Sequence, residues 1–232
     1  MAKRTTTTNL RRFGLLGDVH TEDVFLAVAL EHLSQQQIDA VLCVGDIADG
    51  RGDVDRCIAL LQQHQVATVR GNHDRWCVAD EERDLPEATL LDPLSGHTRW
   101  YLAHLPTTIR FETVAGPLLL CHGLGTDDMA FVEEDGAELR RHVDYSGRAN
   151  LRTRAQSGIE PDTRIVVGGH THRRWAGTFG RLTFINAGTL RAGDNPCFCV
   201  ADLEARLLQW YDLDDDASVR ESERVALDLG AR

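Results

Sequence analysis

Polar residues of the kind that bind divalent cations follow five short apolar runs of this chain, at the point where each run ends. A continuous apolar run bounded by glycine predicts a buried strand. In open α/β sheets, binding sites form at the carboxyl ends of such strands. We therefore expect these residues to be neighbours in space, although they are spread along most of the chain. They are Asp18, His20, Asp46, Asn72, His122, His170 and His172.

These seven side chains offer oxygen and nitrogen ligands and no thiolate. Asp18 and His20 are two positions apart, so a turn at the strand end lets both reach one ion. Asp46 has two carboxylate oxygens and can bridge two cations, whereas Asn72 adds a neutral amide oxygen. This donor set suits Mn, Fe, Zn, Co or Ni better than a structural zinc centre, and we keep Mg in the same group of candidates. Four ligands per ion, with Asp46 shared, leave room for a bridging water or hydroxide.

A pair of divalent cations at such a site predicts hydrolysis of a phosphate ester. Two ions can clamp an in-line displacement at phosphorus and lower the pKa of the water between them. Since only two of the ligands are carboxylates, the site keeps a positive charge that attracts a phosphate anion. His73 follows a ligand and is the natural general acid for the departing alkoxide. We expect Asp74 to accept a hydrogen bond from the His73 ring and to fix its tautomer.

Together these motifs resemble those of the calcineurin-like metallophosphoesterase superfamily, which are D-x-H, G-D, G-N-H-[DE], a histidine after a strand, and G-H-x-H. All five are present here in order, over roughly residues 12 to 213. The resemblance implies an α/β fold, a four-layer α/β/β/α sandwich of two mixed β-sheets flanked by helices. It also implies how the ligands divide, with Asp46 shared: Asp18, His20, Asp46 and His172 on one ion, and Asp46, Asn72, His122 and His170 on the other.

The segment Asn186-Ala187-Gly188-Thr189 and the strand after it resemble the end of the small bacterial and archaeal phosphodiesterase branch, which more often has Asn-Pro-Gly-Ser. This similarity favours a phosphodiesterase, in which a metal-bridging hydroxide attacks in line. A phosphomonoesterase or phosphoprotein phosphatase on the same site is the alternative. A retromer subunit uses this fold for protein contacts, so a non-catalytic scaffold is a further alternative. His73 and all seven ligands are intact here, which favours an enzyme.

The elements that must position these residues alternate between strand and helix in the first half of the chain. Glu22–Ser34 and Asp53–Gln65 have apolar residues at helical spacing, with Thr21 as the predicted N-cap of the first helix. This β-α-β-α-β order predicts parallel strands. In the second half strands follow one another closely, which predicts two packed sheets with helices outside. The expected strands are Ile165–Gly168, Arg174–Thr178, Leu182–Ile185, Phe198–Asp202 and Leu207–Tyr211.

The 232 residues show no internal repeat or linker, and we expect one domain over 1–232 with its core at about 12–213. Residues 124–163 form a polar, cap-like insertion, in which Glu133–Arg154 has the composition of one or two surface helices. The N-terminal twelve residues, MAKRTTTTNLRR, read as a short disordered arm. The charged tail 214–232 reads as a loosely docked helix or a disordered segment.

The net charge, the apolar runs and the cysteines limit which partners and which cellular compartment we expect. A net charge of −11 argues against docking on duplex nucleic acid, though not against a small phosphate ester as substrate. No apolar run approaches the roughly 18 residues of a membrane helix, and no secretory signal is evident. The six cysteines contain no C-x-x-C pair and suggest buried thiols in a reducing cytoplasm. A homo-oligomer stays open.

Several residues near these motifs have two interpretations. Arg51, Arg75 and Arg191 follow site loops, where they either hold a substrate phosphate or are solvated. Trp76, Trp100 and Trp175 line a cleft or pack in the core. The histidines outside the motifs are interpreted as ordinary surface or packing residues, namely His32, His64, His97, His104 and His142.

Overall fold

Two six-stranded mixed sheets lie at the centre of the computed structural model, which describes residues 5–132, 134 and 158–230. The first part of the described chain contains β1 Thr5–Leu10, β2 Arg12–Leu16, α1 Asp23–Ser34, β3 Ala40–Cys43, α2 Val54–Gln63, β4 Ala67–Thr68, α3 Asn72–Ala79 and α4 Gly96–His104. It continues with β5 Thr108–Thr113, β6 Leu118–Cys121, β7 Ile165–Gly168, β8 Arg174–Phe179, β9 Leu182–Ala187, β10 Cys197–Asp202, β11 Leu207–Leu213 and β12 Val219–Ala226.

Each sheet mixes parallel and antiparallel neighbours. The first has the order β1-β5-β6-β7-β9-β8, and its central pairs β6–β7 and β7–β9 are parallel. The second has the order β12-β11-β10-β2-β3-β4, and its parallel pairs are β2–β3 and β3–β4. The predicted parallel β2-β3-β4 unit is confirmed. In the second half the pairs β8–β9, β10–β11 and β11–β12 are antiparallel.

Apolar side chains from both sheets meet in one core, which includes Phe13, Leu15, Leu120, Val167 and Trp210. The opposite face of the second sheet is covered by the four described helices, through a second apolar cluster. The outer face of the first sheet packs against loop residues such as Leu124, Val132 and Ile159. The predicted arrangement of two mixed sheets with flanking helices is thus confirmed.

Both predicted helices of the first half are present, with one correction at a cap. Asp53 is the N-cap of α2 and accepts a hydrogen bond from the Arg56 backbone N–H. The N-cap of α1 is Glu22 and not Thr21. The Thr21 hydroxyl instead accepts a hydrogen bond from the Gly52 N–H at 2.8 Å. This hydrogen bond links the loop after β2 to the loop after β3.

Two predictions of irregular ends were wrong. Thr5–Leu10 pairs in parallel with β5, so the expected disordered arm contains an edge strand. In the tail, Val219–Ala226 pairs antiparallel with β11 and is neither helix nor disordered. Both segments are polar, as edge strands often are. The surface helices predicted within Glu133–Arg154 lie outside the described residues, and the extent of the single domain stays a prediction.

Candidate metal centre

The predicted ligands lie on loops that leave the carboxyl ends of strands, and their backbones are constrained. His20, Asp46, His170 and His172 all have positive φ, between 44° and 70°. This left-handed region is sparsely populated by residues other than glycine, and such conformations concentrate at functional sites. The loops are also tightly packed, since a Cβ at Gly71 would lie 2.0 Å from Asp46 Oδ1. The chain therefore places these polar side chains at a conformational cost.

One cluster consists of Asp18, His20 and His172, whose ligand atoms all lie within 4.8 Å of one another. His172 Nε2 is 3.2 Å from Asp18 Oδ2 and 3.0 Å from His20 Nε2. Asp18 has no exposed surface and His20 has 1%. Two imidazole nitrogens and a buried carboxylate oxygen thus converge on one point, although their residues are separated by about 150 positions.

A second cluster consists of Asp46, His122 and His170, again with ligand atoms within 4.8 Å of one another. His122 Nε2 lies 3.3 Å from Asp46 Oδ2 and 2.8 Å from Asn72 Oδ1. His170 Nδ1 lies 2.9 Å from the same amide oxygen. Asp46 also groups with His20 of the first cluster. The Asp46 carboxylate therefore stands between the two clusters, as a bridging ligand must.

Three of the histidines predicted as ligands use their Nδ1 atoms in hydrogen bonds. The Nδ1 atoms of His20 and His122 lie 2.8 and 2.9 Å from the carbonyl oxygens of Asp49 and Val44, respectively. The Nδ1 atom of His172 lies 2.9 Å from Asp194 Oδ2. Such hydrogen bonds fix the tautomer, and they leave Nε2 as the free ligand atom. This outer shell is what a metal centre requires.

Buried carboxylates and imidazole rings shift one another's pKa within the site. Burial opposes ionisation of Asp46, but the adjacent His122 holds the pKa of that carboxyl well below its usual range. Burial alone would lower the pKa of His122, yet the Asp46 and Asp18 carboxylates raise it to about 10. Burial lowers the pKa of His20. Two buried carboxylates that face imidazole rings fit divalent metal ions.

His73 lies beside the clusters, and its ring partner differs from the predicted one. The Nδ1 atom of His73 is 2.7 Å from Asp49 Oδ2. Asp74 instead accepts from the backbone N–H groups of Ile47, Ala48 and Gly71 at 2.8 to 3.1 Å. The expected hydrogen bond from His73 to Asp74 is therefore wrong, because Asp74 is buried beneath the loop and ties it together.

Asp49 is the functional candidate that the sequence analysis missed. Its carboxylate also accepts two hydrogen bonds from Arg83, at 2.8 and 3.0 Å, and one from the Thr89 N–H at 2.7 Å. Burial lowers the pKa of His73, but Asp49 and Asp46 raise it more strongly. The available signal was a second aspartate three residues after Asp46 in the same strand-end loop.

The arginines and tryptophans that had two interpretations make different contacts in the structure. Arg75 makes a bidentate ion pair with Asp128, at 2.7 and 2.9 Å. Trp76 lies edge-on to His73, with ring centroids 4.8 Å apart, whereas Trp175 stacks on Phe184. Trp100 is exposed and stacks on His104. Arg51 and Arg191 both contact Glu87.

The prediction that the cysteine thiols are buried is confirmed. All six cysteines are buried and free, and Cys197 and Cys199 both face the core between the sheets. Burial raises the pKa of the Cys43 and Cys121 thiols to about 12. Among the described residues, no helix is both long and apolar enough to cross a membrane.

Known structures share this architecture. A metallophosphoesterase from Sphaerobacter thermophilus has a TM-score of 0.63 at 18% identity, covering 89% of each chain. YfcE, a phosphoesterase from E. coli, has a TM-score of 0.56 at 16% identity over 94% of this chain and 100% of that one. Vps29 from Entamoeba histolytica, solved with Zn²⁺, has a TM-score of 0.54 at 19% identity over 94% and 99%. At these identities the likeness establishes the fold alone.

Two mixed sheets, with clusters of Asp and His at their strand ends that could hold metal ions, are the architecture of a metallophosphoesterase fold. The sequence model of the calcineurin-like phosphoesterase superfamily domain matches residues 12–206. The chain belongs to this superfamily, as its motifs predict.

Proposed function

We propose that this protein is a binuclear metal-dependent phosphoesterase that hydrolyses a phosphodiester. The observation that carries the proposal is the position of Asp46, which groups with His122 and His170 of one cluster and with His20 of the other. His73 stands at the edge of the same site and groups with His20 and Asp46. Burying so many polar side chains in one place is unfavourable unless their charges and ring nitrogens are compensated, and divalent cations would compensate them.

The residues present suit two divalent ions, and we propose Mn²⁺ as the native metal. Asp18, His20, Asp46 and His172 would hold one ion. Asp46, Asn72, His122 and His170 would hold the other. When bound, such a pair neutralises phosphate charge and activates water for attack on phosphorus. Oxygen and imidazole ligands without thiolate are compatible with Mn, Fe and Zn, and metal analysis of the purified protein distinguishes these ions.

His73 supplies the proton for the leaving group in this proposal. Since Asp49 occupies Nδ1, the Nε2 atom of the ring is free to face the reacting ester. A proton passes from Nε2 to the departing oxygen as its bond to phosphorus breaks. Asp49 and Arg83 hold the ring in place, and Asp74 contributes by fixing the Gly71 end of the loop rather than by touching His73.

The choice of a diester over a monoester rests on the resemblance around Asn186, and it can be tested directly. Asn186 Nδ2 donates to the Gly169 carbonyl and to the Thr171 hydroxyl, at 3.0 and 2.9 Å, so it fixes the loop that carries His170 and His172. This role serves either ester. The protein loaded with Mn²⁺ should therefore be assayed on bis-p-nitrophenyl phosphate and on p-nitrophenyl phosphate. Faster turnover of the monoester would assign a phosphatase instead.

The decisive variant is His73→Ala. Its rate on an ester with a poor leaving group should fall by about 10²–10⁴-fold, because general acid catalysis contributes roughly that much. Bound metal should stay near two ions per chain. His97→Ala, an exposed histidine hydrogen-bonded to Gln62, is the matched control and should keep full activity. Unchanged turnover in His73→Ala would remove His73 from the mechanism, and no turnover of the Mn²⁺-loaded wild type on either ester would favour the scaffold.

We further propose that the protein acts in the cytoplasm as one domain over residues 1–232. Free, buried thiols of raised pKa support a reducing compartment, because an oxidising one favours disulfides. Cell fractionation and limited proteolysis test these two points. Early cleavage into two stable halves would contradict the single domain.

A further inference from the structure

A small cavity of about 130 Å³ adjoins the metal centre on the side of His20. Two arginines line it, Arg51 from the loop after β3 and Arg191 from the loop after β9. Glu87, from the segment between α3 and α4, lies between them. The cavity therefore joins three loops at the rim of the proposed active site.

The Glu87 carboxylate occupies the position that an anionic ligand of these arginines would take. Its Oε1 atom accepts a hydrogen bond from Arg51 Nε at 2.5 Å. Its Oε2 atom lies 3.5 Å from Arg191 Nη2. One carboxylate thus neutralises two guanidinium groups, which are the groups that best recognise phosphate and carboxylate.

The ion pair between Arg51 and Glu87 contributes little to the stability of the protein. The Arg51 side chain is 86% exposed, and exposed ion pairs contribute little to stability. Glu87 has a φ of 66°, a conformation that is unfavourable for a residue with a side chain. Thr89 anchors its loop, since the Asp49 N–H donates to the Thr89 hydroxyl at 2.8 Å. Displacing this carboxylate by another anion would therefore cost little stability.

The cavity lies next to the proposed metal centre, so one substrate could occupy both. His20 is both a predicted metal ligand and part of the cavity wall. Arg191 Nε also lies 4.0 Å from Asp194, whose carboxylate contacts the ligand His172. An oxyanion held by the two arginines would thus be separated from a phosphate at the proposed metal centre by the His20 side chain.

We propose that Arg51 and Arg191 form a second anion subsite, which Glu87 fills in the free protein. The preferred substrates are then phosphate esters that carry another oxyanion, a phosphate or a carboxylate, close to the phosphate that is cleaved. This inference rests on the proposed function and specifies its substrate class. Glu87 acts as an internal competitor that weakens binding of esters unable to replace it.

The test uses two p-nitrophenyl phosphodiesters whose second ester group carries either a carboxylate or the corresponding carboxamide. The wild type should prefer the carboxylate in kcat/KM by about three- to fivefold, since an ion pair to an exposed arginine is worth at most about 1 kcal/mol. Glu87→Gln should increase this preference about threefold or more, and Arg51→Ala should reduce it to near unity. Arg51→Lys keeps the charge and should restore part of it.

Glu204→Gln is the control, because it also removes a carboxylate from an arginine, Arg11. Arg11 immediately precedes β2, at the end of that strand away from the site. It should leave the preference unchanged. Equal preference for the two esters in the wild type, or a preference that survives Arg51→Ala, would overturn the subsite. If neither ester is hydrolysed, the proposed function fails separately. Affinities for the same pair, measured by calorimetry, then decide the subsite, and equal affinities would refute it.

Discussion

Replacing Asp49 by asparagine tests the proposed support of His73. The carboxylate is 2% exposed and accepts four hydrogen bonds, one from His73, two from Arg83 and one from the Thr89 N–H. An amide of the same shape cannot accept all four, and its NH₂ group opposes donors. Arg83, which is 12% exposed, loses its charge partner but keeps a hydrogen bond to the Thr89 carbonyl.

Two magnitudes follow from these contacts. Removing one partner of a buried ion pair typically costs about 3–5 kcal/mol, and we take about 3 kcal/mol because Arg83 keeps a backbone partner. For a chain of this size that loss lowers Tm by about 6–12 °C. An asparagine NH₂ facing Nδ1 also favours the wrong tautomer of His73, so the rate on a poor leaving group should fall about 10²-fold.

The assay compares a good and a poor leaving group at a temperature where the variant is folded. The p-nitrophenolate ester needs little protonation, so its rate should fall much less than that of an alkyl ester. Asp128→Asn is the matched control, because it breaks the bidentate pair with Arg75 and leaves His73 untouched. Equal loss on both esters in Asp49→Asn would mean that Asp49 supports folding only, and the positioning argument would be refuted.

Three further predictions concern packing, pH and metal. Gly71→Ala should abolish activity and destabilise the protein, because its Cβ would lie 2.0 Å from Asp46 Oδ1, whereas Gly96→Ala has no atom within 4 Å and should be tolerated in assays of rate and Tm. Burial opposes ionisation of Asp212, but Arg174 lowers its pKa below the ordinary value. The stability that this pair contributes is therefore present above the unfolded pKa of about 3.9 and is lost as the pH falls through the lower folded pKa. Asp212→Asn should flatten that part of the acid-denaturation curve, and an unchanged curve would contradict the assignment. Removing both proposed metal ions with a chelator should lower Tm by about 11–22 °C relative to protein at 100 times each metal Kd, since each occupied site is worth about 2.7 kcal/mol and the two add to about 5.4 kcal/mol. An identical melting curve would argue against bound ions.

The predicted ligand set could be located from sequence because each residue follows a strongly apolar strand. Val41–Gly45 and Ile165–Gly169 are runs that have few other interpretations, and parallel strands bring their ends to one edge. The close approach of His172 to Asp18 at 3.2 Å follows from this topology. The roles of the ligands stay a prediction until metal is measured.

Other features depend on contacts that local patterns do not contain. The partner of His73 is Asp49 rather than Asp74, because the direction of a loop aspartate is set by nearby donors such as Arg83. The edge strands were missed because charge and threonine outweighed the weak apolar pattern of Val219–Ala226 and Thr5–Leu10. For these strands the pairing partner decides the structure, and sequence preference alone does not.

The central claim is that distant loops bring two cations together around Asp46. A crystal structure of the Mn²⁺-loaded protein, with anomalous difference maps recorded at the manganese edge, measures this directly. We predict two peaks roughly 3.5–4 Å apart, with the Asp46 carboxylate between them and His172 on one ion and His170 on the other. A single peak, or two peaks that do not share Asp46, would contradict the binuclear centre.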